Sequence, residues 1–135
     1  MHRLAANNRG FTLVEMLVVL AVLGILAAIA VVKLGASSDK AYVAAMRSDL
    51  HNVMVAEMAY AEESLAANRR NPYTTRINQL DVNLSNGVRV RLRANRTGWS
   101  GQATHTRLPG ARCAVYQGTI RSFPPATREG SIACD

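Results

Sequence analysis

An uninterrupted apolar run near the start of the chain constrains its fold most strongly. The run covers 22 residues, from Phe11 to Val32, and its only strongly polar side chains are those of Thr12 and Glu15. As an α-helix it would be about 33 Å long, which is enough to cross the hydrocarbon core of a bilayer. The core of a water-soluble domain rarely needs so long an apolar stretch, so the run predicts a membrane-spanning helix.

The residues before the run are basic. Residues 1–10 contain His2, Arg3 and Arg9 and no acid, a pattern that holds an N-terminus in the cytoplasm. A secretory signal peptide begins in the same way and ends at a cleavage site of small residues, which residues 27–30 could supply. A signal peptide is therefore an alternative, although its apolar part is usually shorter.

Glu15 is the unusual residue of the run. A carboxylate in a membrane helix is costly unless it has a partner, so it usually has a function. The alternative is a carboxylate that lies at the level of the lipid headgroups. Glu15 ends a short motif in which a small residue, Gly10, joins the basic leader to the apolar helix, and this motif reads RGFTLVE at residues 9–15.

Residues 9–30 closely resemble the prepilin N-terminus of type IV pilins and of the pseudopilins of type II secretion. The resemblance implies that a membrane prepilin peptidase cleaves the chain after Gly10 and that the new N-terminal residue, Phe11, is N-methylated. It also implies a role for Glu15 in assembly. Paired with the Phe11 amine of an adjacent subunit, this carboxylate would fix the register of apolar helices in a filament core. Many relatives have a proline near the end of the run, whereas the first proline here is Pro72.

An amphipathic segment after the apolar run predicts that the helix continues to about Ala67. Residues 68–72 then end it. The predicted apolar face consists of Tyr42, Val43, Met46, Leu50, Val53, Met54, Tyr60, Ala61 and Leu65. Glu57 lies near the middle of this face, and it predicts either a second assembly contact or a carboxylate that is partnered or reaches solvent.

The remainder of the chain predicts a small antiparallel sheet. At residues 88–94, apolar side chains alternate with Arg89, Arg91 and Arg93, so we expect one strand with its apolar side on the helix and its arginines in solvent. Two further strands are predicted at residues 99–106 and 112–117, with turns at 96–98 and 108–110 and a short helical turn near 75–80. The predicted class is α+β: a long N-terminal helix packed on about three antiparallel strands, which is the architecture of type IV pilins.

We therefore expect four segments along the chain. They are a leader at residues 1–10, a transmembrane or filament-core helix at 11–33, an amphipathic continuation of the helix at 34–70, and a sheet domain with a disulfide loop at 71–135.

Cys113 and Cys134 are the only cysteines. An even number of cysteines outside the cytoplasm predicts a disulfide, and closing a loop of this length would stabilise the fold by about 3 kcal/mol. The alternative is two free thiols. We expect no metal site, because two cysteines without a nearby histidine supply too few ligands.

The sequence contains no recognised catalytic or phosphate-binding motif, so we expect neither enzymatic activity nor a cofactor. The three histidines, His2, His51 and His105, are far apart in the sequence and are predicted to be surface residues.

The chain is basic, with a net charge of +7, and four arginines form a stripe at Arg89, Arg91, Arg93 and Arg96. Such a stripe could contact DNA phosphates, although it lacks interleaved aromatic residues for base stacking. The alternative is a solvated face, or salt bridges to neighbouring subunits.

The leading hypothesis is a structural subunit that polymerises through its N-terminal helix into a type IV pilus or related filament. It implies a single-pass protein of the bacterial inner membrane that later forms a cell-surface or periplasmic filament. Its expected partners are copies of itself, the prepilin peptidase and methyltransferase, and a pilus or secretion assembly platform. The alternatives are a pseudopilin of a type II secretion system, against which the expected disulfide argues, and a single-span anchored binding module that keeps residues 1–10.

Overall fold

The structure is a computed structural model that describes the backbone of residues 11–135 and the side chains of residues 11–30 and 38–135. The predicted leader, with the cleavage-site residue Gly10, lies outside the described residues.

One long helix and an antiparallel sheet make up the described chain. In chain order, the elements are helix α1 (Leu13–Ala66), a 3-10 turn (Ile77–Gln79), and strands β1 (Val88–Ala94), β2 (Gly98–His105), β3 (Leu108–Gly118) and β4 (Ala133–Cys134). The predicted α+β class and the helical turn near 75–80 are confirmed. The sheet has four strands rather than about three, because the two-residue strand β4 is too short to produce a sequence pattern.

The N-terminal part of α1 is apolar on all sides. The stretch Leu13–Ala30, here called the apolar segment, has a mean hydropathy of 2.8, and none of it is buried within the chain. Its large apolar side chains are between 47% (Met16) and 76% (Leu13) exposed. By length and composition, the apolar segment can cross a membrane.

Residues Ser38–Asp135 form a separate compact unit, here called the head unit. Its core joins one stripe of α1 to one face of the sheet: Met46, Leu50 and Val53 pack with Trp99 and Val115, and all five side chains are buried. The segment boundaries expected from the sequence remain predictions.

The buried stripe of α1 differs from the predicted apolar face at its end. Leu65 is 65% exposed, whereas its neighbour Ser64 is fully buried. Buried positions recur at three- and four-residue steps through Glu57 and Ala61, and this spacing leads to position 64. The periodicity therefore outweighs the hydrophobicity of Leu65.

The sheet is antiparallel throughout, in the order β1-β2-β3-β4. Its inner face carries Val88, Trp99 and Ala103, which belong to the core shared with α1. Its outer face carries the arginines of β1, and Arg91 lies opposite Gln102.

The predicted turn at residues 108–110 is wrong. The chain reverses earlier, so that His105 pairs with Leu108, and the next pair along the ladder joins Thr104 to Arg112. Pro109 therefore lies in an irregularity of β3, where its missing amide hydrogen breaks no regular ladder bond.

Candidate functional site

The start of α1 is capped by Thr12 and Glu15, which form reciprocal hydrogen bonds. The Glu15 carboxylate accepts hydrogen bonds from the Thr12 backbone N–H (2.8 Å) and from Thr12 Oγ1 (2.9 Å), and the Glu15 N–H donates to Thr12 Oγ1 (3.2 Å). This arrangement is a capping box, which satisfies backbone donors that the first helical turn leaves unpaired. Phe11 precedes it and is largely exposed.

This capping role was not predicted, although the Thr-x-x-Glu spacing at the start of an apolar run is its signal. The pair shows how the chain carries a carboxylate into an apolar segment: Thr12 supplies partners within the same chain. Glu15 is nevertheless exposed, so a cation from outside the chain can reach it. The assembly role of Glu15 and the methylation of Phe11 stay predictions.

A second carboxylate of α1, that of Glu57, is fully buried in the head unit. Its Oε2 accepts a hydrogen bond from the Thr74 backbone N–H at 3.2 Å, while Oε1 has no partner among the described residues. Burial raises the pKa of Glu57 from 4.5 to about 7, and the bond from Thr74 offsets part of this increase. A partnered carboxylate is therefore the correct alternative, since a buried group cannot contact a neighbouring subunit.

The loop that covers Glu57 is held by Thr74. The Thr74 hydroxyl donates to Gln79 Oε1 and accepts a hydrogen bond from the Arg76 N–H at 3.1 Å. The loop after the helix is thereby fixed over the carboxylate.

Asp49 and His105 are two further polar residues that hold the head unit together. Asp49 is buried and accepts hydrogen bonds from the Ser85 N–H (2.8 Å) and Ser85 Oγ (3.0 Å), which fixes the chain before β1. The surface prediction for His105 is wrong: its ring is buried and stacks on Tyr42 with centroids 4.2 Å apart. Both residues therefore have a structural role.

A covalent link joins strand β4 to strand β3. Cys113 of β3 and Cys134 of β4 lie opposite each other and form a disulfide. Arg112 extends this junction, because its backbone N–H and its guanidinium donate to the two carboxylate oxygens of Asp135 at 2.9 and 2.8 Å. These contacts hold the pKa of the Asp135 side chain below its ordinary value, with the guanidinium hydrogen bond as the main cause.

The arginine stripe lies where the alternation of β1 predicts it. Arg89, Arg91 and Arg93 are exposed on the outer face of the sheet, and Arg96 is exposed in the turn after β1. A buried aromatic ring beneath the stripe was not predicted: the guanidinium carbons of Arg91 and Arg93 lie 5.6 and 3.9 Å from the centroid of Phe123. A distant part of the chain supplies this ring, so no local pattern could indicate it.

Comparison with known proteins finds a family match at the start of the chain. Residues 5–31 match the family described as the prokaryotic N-terminal methylation motif, and the match includes Gly10, Phe11 and Glu15. The chain has no significant match among curated proteins or solved structures.

Proposed function

We propose that this chain, which carries the methylation motif that is the signature of type IV pilins and pseudopilins, is a structural subunit of a type IV pilus-like filament. In this proposal, cleavage after Gly10 exposes Phe11 as the new N-terminus, Phe11 is N-methylated, and the mature subunits polymerise. The motif family is structural rather than enzymatic, and we assign no catalysis to the subunit.

The observation that carries the proposal is the exposure of the apolar segment. None of Leu13–Ala30 is buried within the chain, and so extended an apolar surface is strongly unfavourable in water. Lipid would cover the segment before assembly. Unassembled monomers would therefore stay in the inner membrane. In a filament, the apolar segments of other copies would replace the lipid.

Packing between such segments has little to define its register, because apolar side chains pack equally well at many staggers. A charged pair supplies the missing specificity. The positive amine of Phe11 on one subunit and the carboxylate of Glu15 on the next would each be costly in an apolar core unless they met. The Thr12 cap satisfies Glu15 until that contact forms.

The prepilin peptidase and methyltransferase, and an assembly platform in the membrane, are the partners that this proposal requires. A type II secretion pseudopilin is the second candidate, since the same motif is the signature of both classes. The Cys113–Cys134 disulfide supports the pilin assignment.

The test is mass spectrometry of filaments sheared from the cells that produce the protein. We expect abundant chain that begins at methylated Phe11. Processed chain found only in the membrane fraction would favour the pseudopilin, and chain that keeps residues 1–10 would show an anchored module that does not polymerise.

A pair of variants isolates the charge of Glu15. Glutamine can also complete a capping box, so Glu15→Gln removes the charge and keeps the helix start, whereas Thr12→Val removes the cap and keeps the charge. Leaving one member of a buried charged pair alone costs about 3–5 kcal/mol, so Glu15→Gln should nearly abolish the sheared filament while membrane insertion is unchanged. Thr12→Val should reduce the filament yield much less. Equal yields from Glu15→Gln and the parent protein would refute the pairing.

A further inference from the structure

Positive charge is concentrated in the sheet-forming part of the chain. Residues 82–128 contain eight arginines and no aspartate, glutamate or lysine. The acidic residues that precede this stretch end at Asp81, and those that follow it begin at Glu129. The stretch is therefore a basic region within a chain of mixed charge.

Three of these arginines form a straight row on the outer face of the sheet. Arg89, Arg91 and Arg93 alternate along β1, so their attachment points are about 6.8 Å apart. All three are exposed, and among the described residues no carboxylate lies within 4.0 Å of any of them. Arg112, on the same face two strands away, is instead neutralised by Asp135 at 2.8 Å. The row is thus free to receive anions from outside the chain.

Phe123 holds two members of the row in place. Its ring is buried, and the guanidinium carbons of Arg93 and Arg91 lie 3.9 and 5.6 Å from its centroid, within the range of a cation–π contact. The ring is itself fixed: the Phe123 N–H donates to Ser100 Oγ (3.0 Å), and Gln102 Nε2 donates to the carbonyl of Pro124 (2.7 Å). A guanidinium held by such a cation–π contact loses less entropy when its N–H groups donate to phosphate oxygens.

We propose that the row formed by Arg89, Arg91 and Arg93, here called the arginine row, binds the phosphate backbone of double-stranded DNA without reading its sequence. A linear series of fixed phosphate donors without acidic neighbours is what sequence-independent backbone binding requires.

Two observations favour a duplex over other polyanions. Proteins that bind single strands stack bases on exposed aromatic rings, and here Phe123 is buried under the guanidiniums while Tyr116 is only partly exposed. The sheet has no membrane anchor of its own, because none of the large exposed apolar side chains of the described residues lies on it; the membrane anchor of the chain is the separate apolar segment.

The proposal is independent of filament assembly, and it is tested on the full chain as a monomer in non-ionic detergent. The probe is a short fluorescent DNA duplex, titrated by anisotropy over a series of salt concentrations. Arg91→Gln/Arg93→Gln is compared with Arg69→Gln/Arg70→Gln, which removes the same charge from exposed positions after α1. Arg91→Gln/Arg93→Gln should make the negative slope of log K against log salt shallower by about 2. Arg69→Gln/Arg70→Gln should leave the slope nearly unchanged.

Two further measurements separate a site from general charge attraction. Phe123→Leu keeps every charge but removes the aromatic ring beneath Arg91 and Arg93. It should therefore weaken duplex binding, while circular dichroism shows an intact fold. The parent protein should also bind the duplex more tightly than the matching single strand. Vesicles rich in anionic lipid take up the chain through its apolar segment in any case, so they are compared between variants, and the two arginine-pair variants should bind them alike. The proposal would be overturned by equal losses of duplex binding from the two arginine pairs, by unchanged binding of a folded Phe123→Leu variant, or by preference for the single strand. A loss of vesicle binding confined to Arg91→Gln/Arg93→Gln would overturn it as well.

Discussion

The two parts of α1 differ in where their apolar side chains find partners. In the apolar segment, Leu13–Ala30, no side chain is buried within the chain. In the head unit, the same helix buries Met46, Leu50 and Val53 completely against the sheet. The head unit is thus stabilised by its own contacts, whereas the apolar segment needs an apolar environment from elsewhere.

The carboxylates of the helix show the same difference. Glu15 lies in the apolar segment, is exposed, and is satisfied by Thr12 next to it. Glu57 lies in the head unit, is buried, and receives its one hydrogen bond from the distant Thr74. An exposed carboxylate can exchange its partner for another molecule, while a buried one acts only on the stability of its own fold. Hence Glu15 is the candidate for assembly and Glu57 is not.

The strongest test of the comparison is the same truncation in both parts of α1. Leu50→Ala removes a fully buried side chain, so it should lower the free energy of unfolding by about 2–5 kcal/mol. Leu20→Ala removes a side chain that is 64% exposed, and the unfolding free energy should change by less than about 0.5 kcal/mol. Fluorescence of Trp99, the only tryptophan, measures unfolding in detergent for both variants. Similar losses from the two variants would show that the apolar segment takes part in the cooperative fold.

The next test concerns pH and Glu57. Its pKa of about 7 in the folded head unit lies above its ordinary value of 4.5, so the folded protein keeps a proton that the unfolded chain releases between these values. The stability that this proton contributes is complete below about pH 4.5, is lost as the pH rises to about 7, and stays lost above. Glu57→Gln should remove this decline, and it should make the protein more stable than its parent at pH 8 by about 1–3 kcal/mol.

The free energy of unfolding, followed by Trp99 fluorescence at pH values from 4 to 8, measures this difference. Glu63→Gln serves as the control because Glu63 is exposed on the same helix. The control should keep the decline of the parent protein. If Glu57→Gln also kept it, another group would be responsible.

The parts of the fold that follow a local pattern could be predicted from the sequence. Alternation in β1 gave the strand and its arginine face, and the long apolar run gave the apolar segment. The end of the helix was placed one residue from its position at Ala66. Each of these features depends on side chains that are close in sequence.

The missed features depend on residues far apart in the chain. Phe123 reaches the arginines of β1 from beyond β3, and the two-residue strand β4 exists because Cys134 is held against Cys113. Leu65 is exposed because the buried stripe of α1 passes through Ser64 instead. Helical periodicity indicates a face only within a few tens of degrees, and tertiary packing decides its edge.

The smallest expected effect concerns the other end of the head unit, at the C terminus. The exposed contact between Asp135 and Arg112 should stabilise the fold by at most about 1 kcal/mol. Because the pKa of Asp135 is lowered, this stability is present at neutral pH and is lost as the pH falls below the ordinary value of 3.8. Asp135→Asn should therefore be slightly less stable than its parent at pH 7 and indistinguishable from it in strong acid.

Hydrogen exchange at the Arg112 amide, which donates to Asp135 Oδ1, provides the local measurement that so small an effect needs. The matched control is again Glu63→Gln, which breaks the looser contact to Arg69 at 3.8 Å and should leave the Arg112 amide unchanged. Faster exchange in Asp135→Asn alone would show that the cooperative contacts of the head unit include Asp135. Unchanged exchange would show that the charge of Asp135 adds nothing to this contact, since asparagine keeps an oxygen that can accept from the Arg112 N–H.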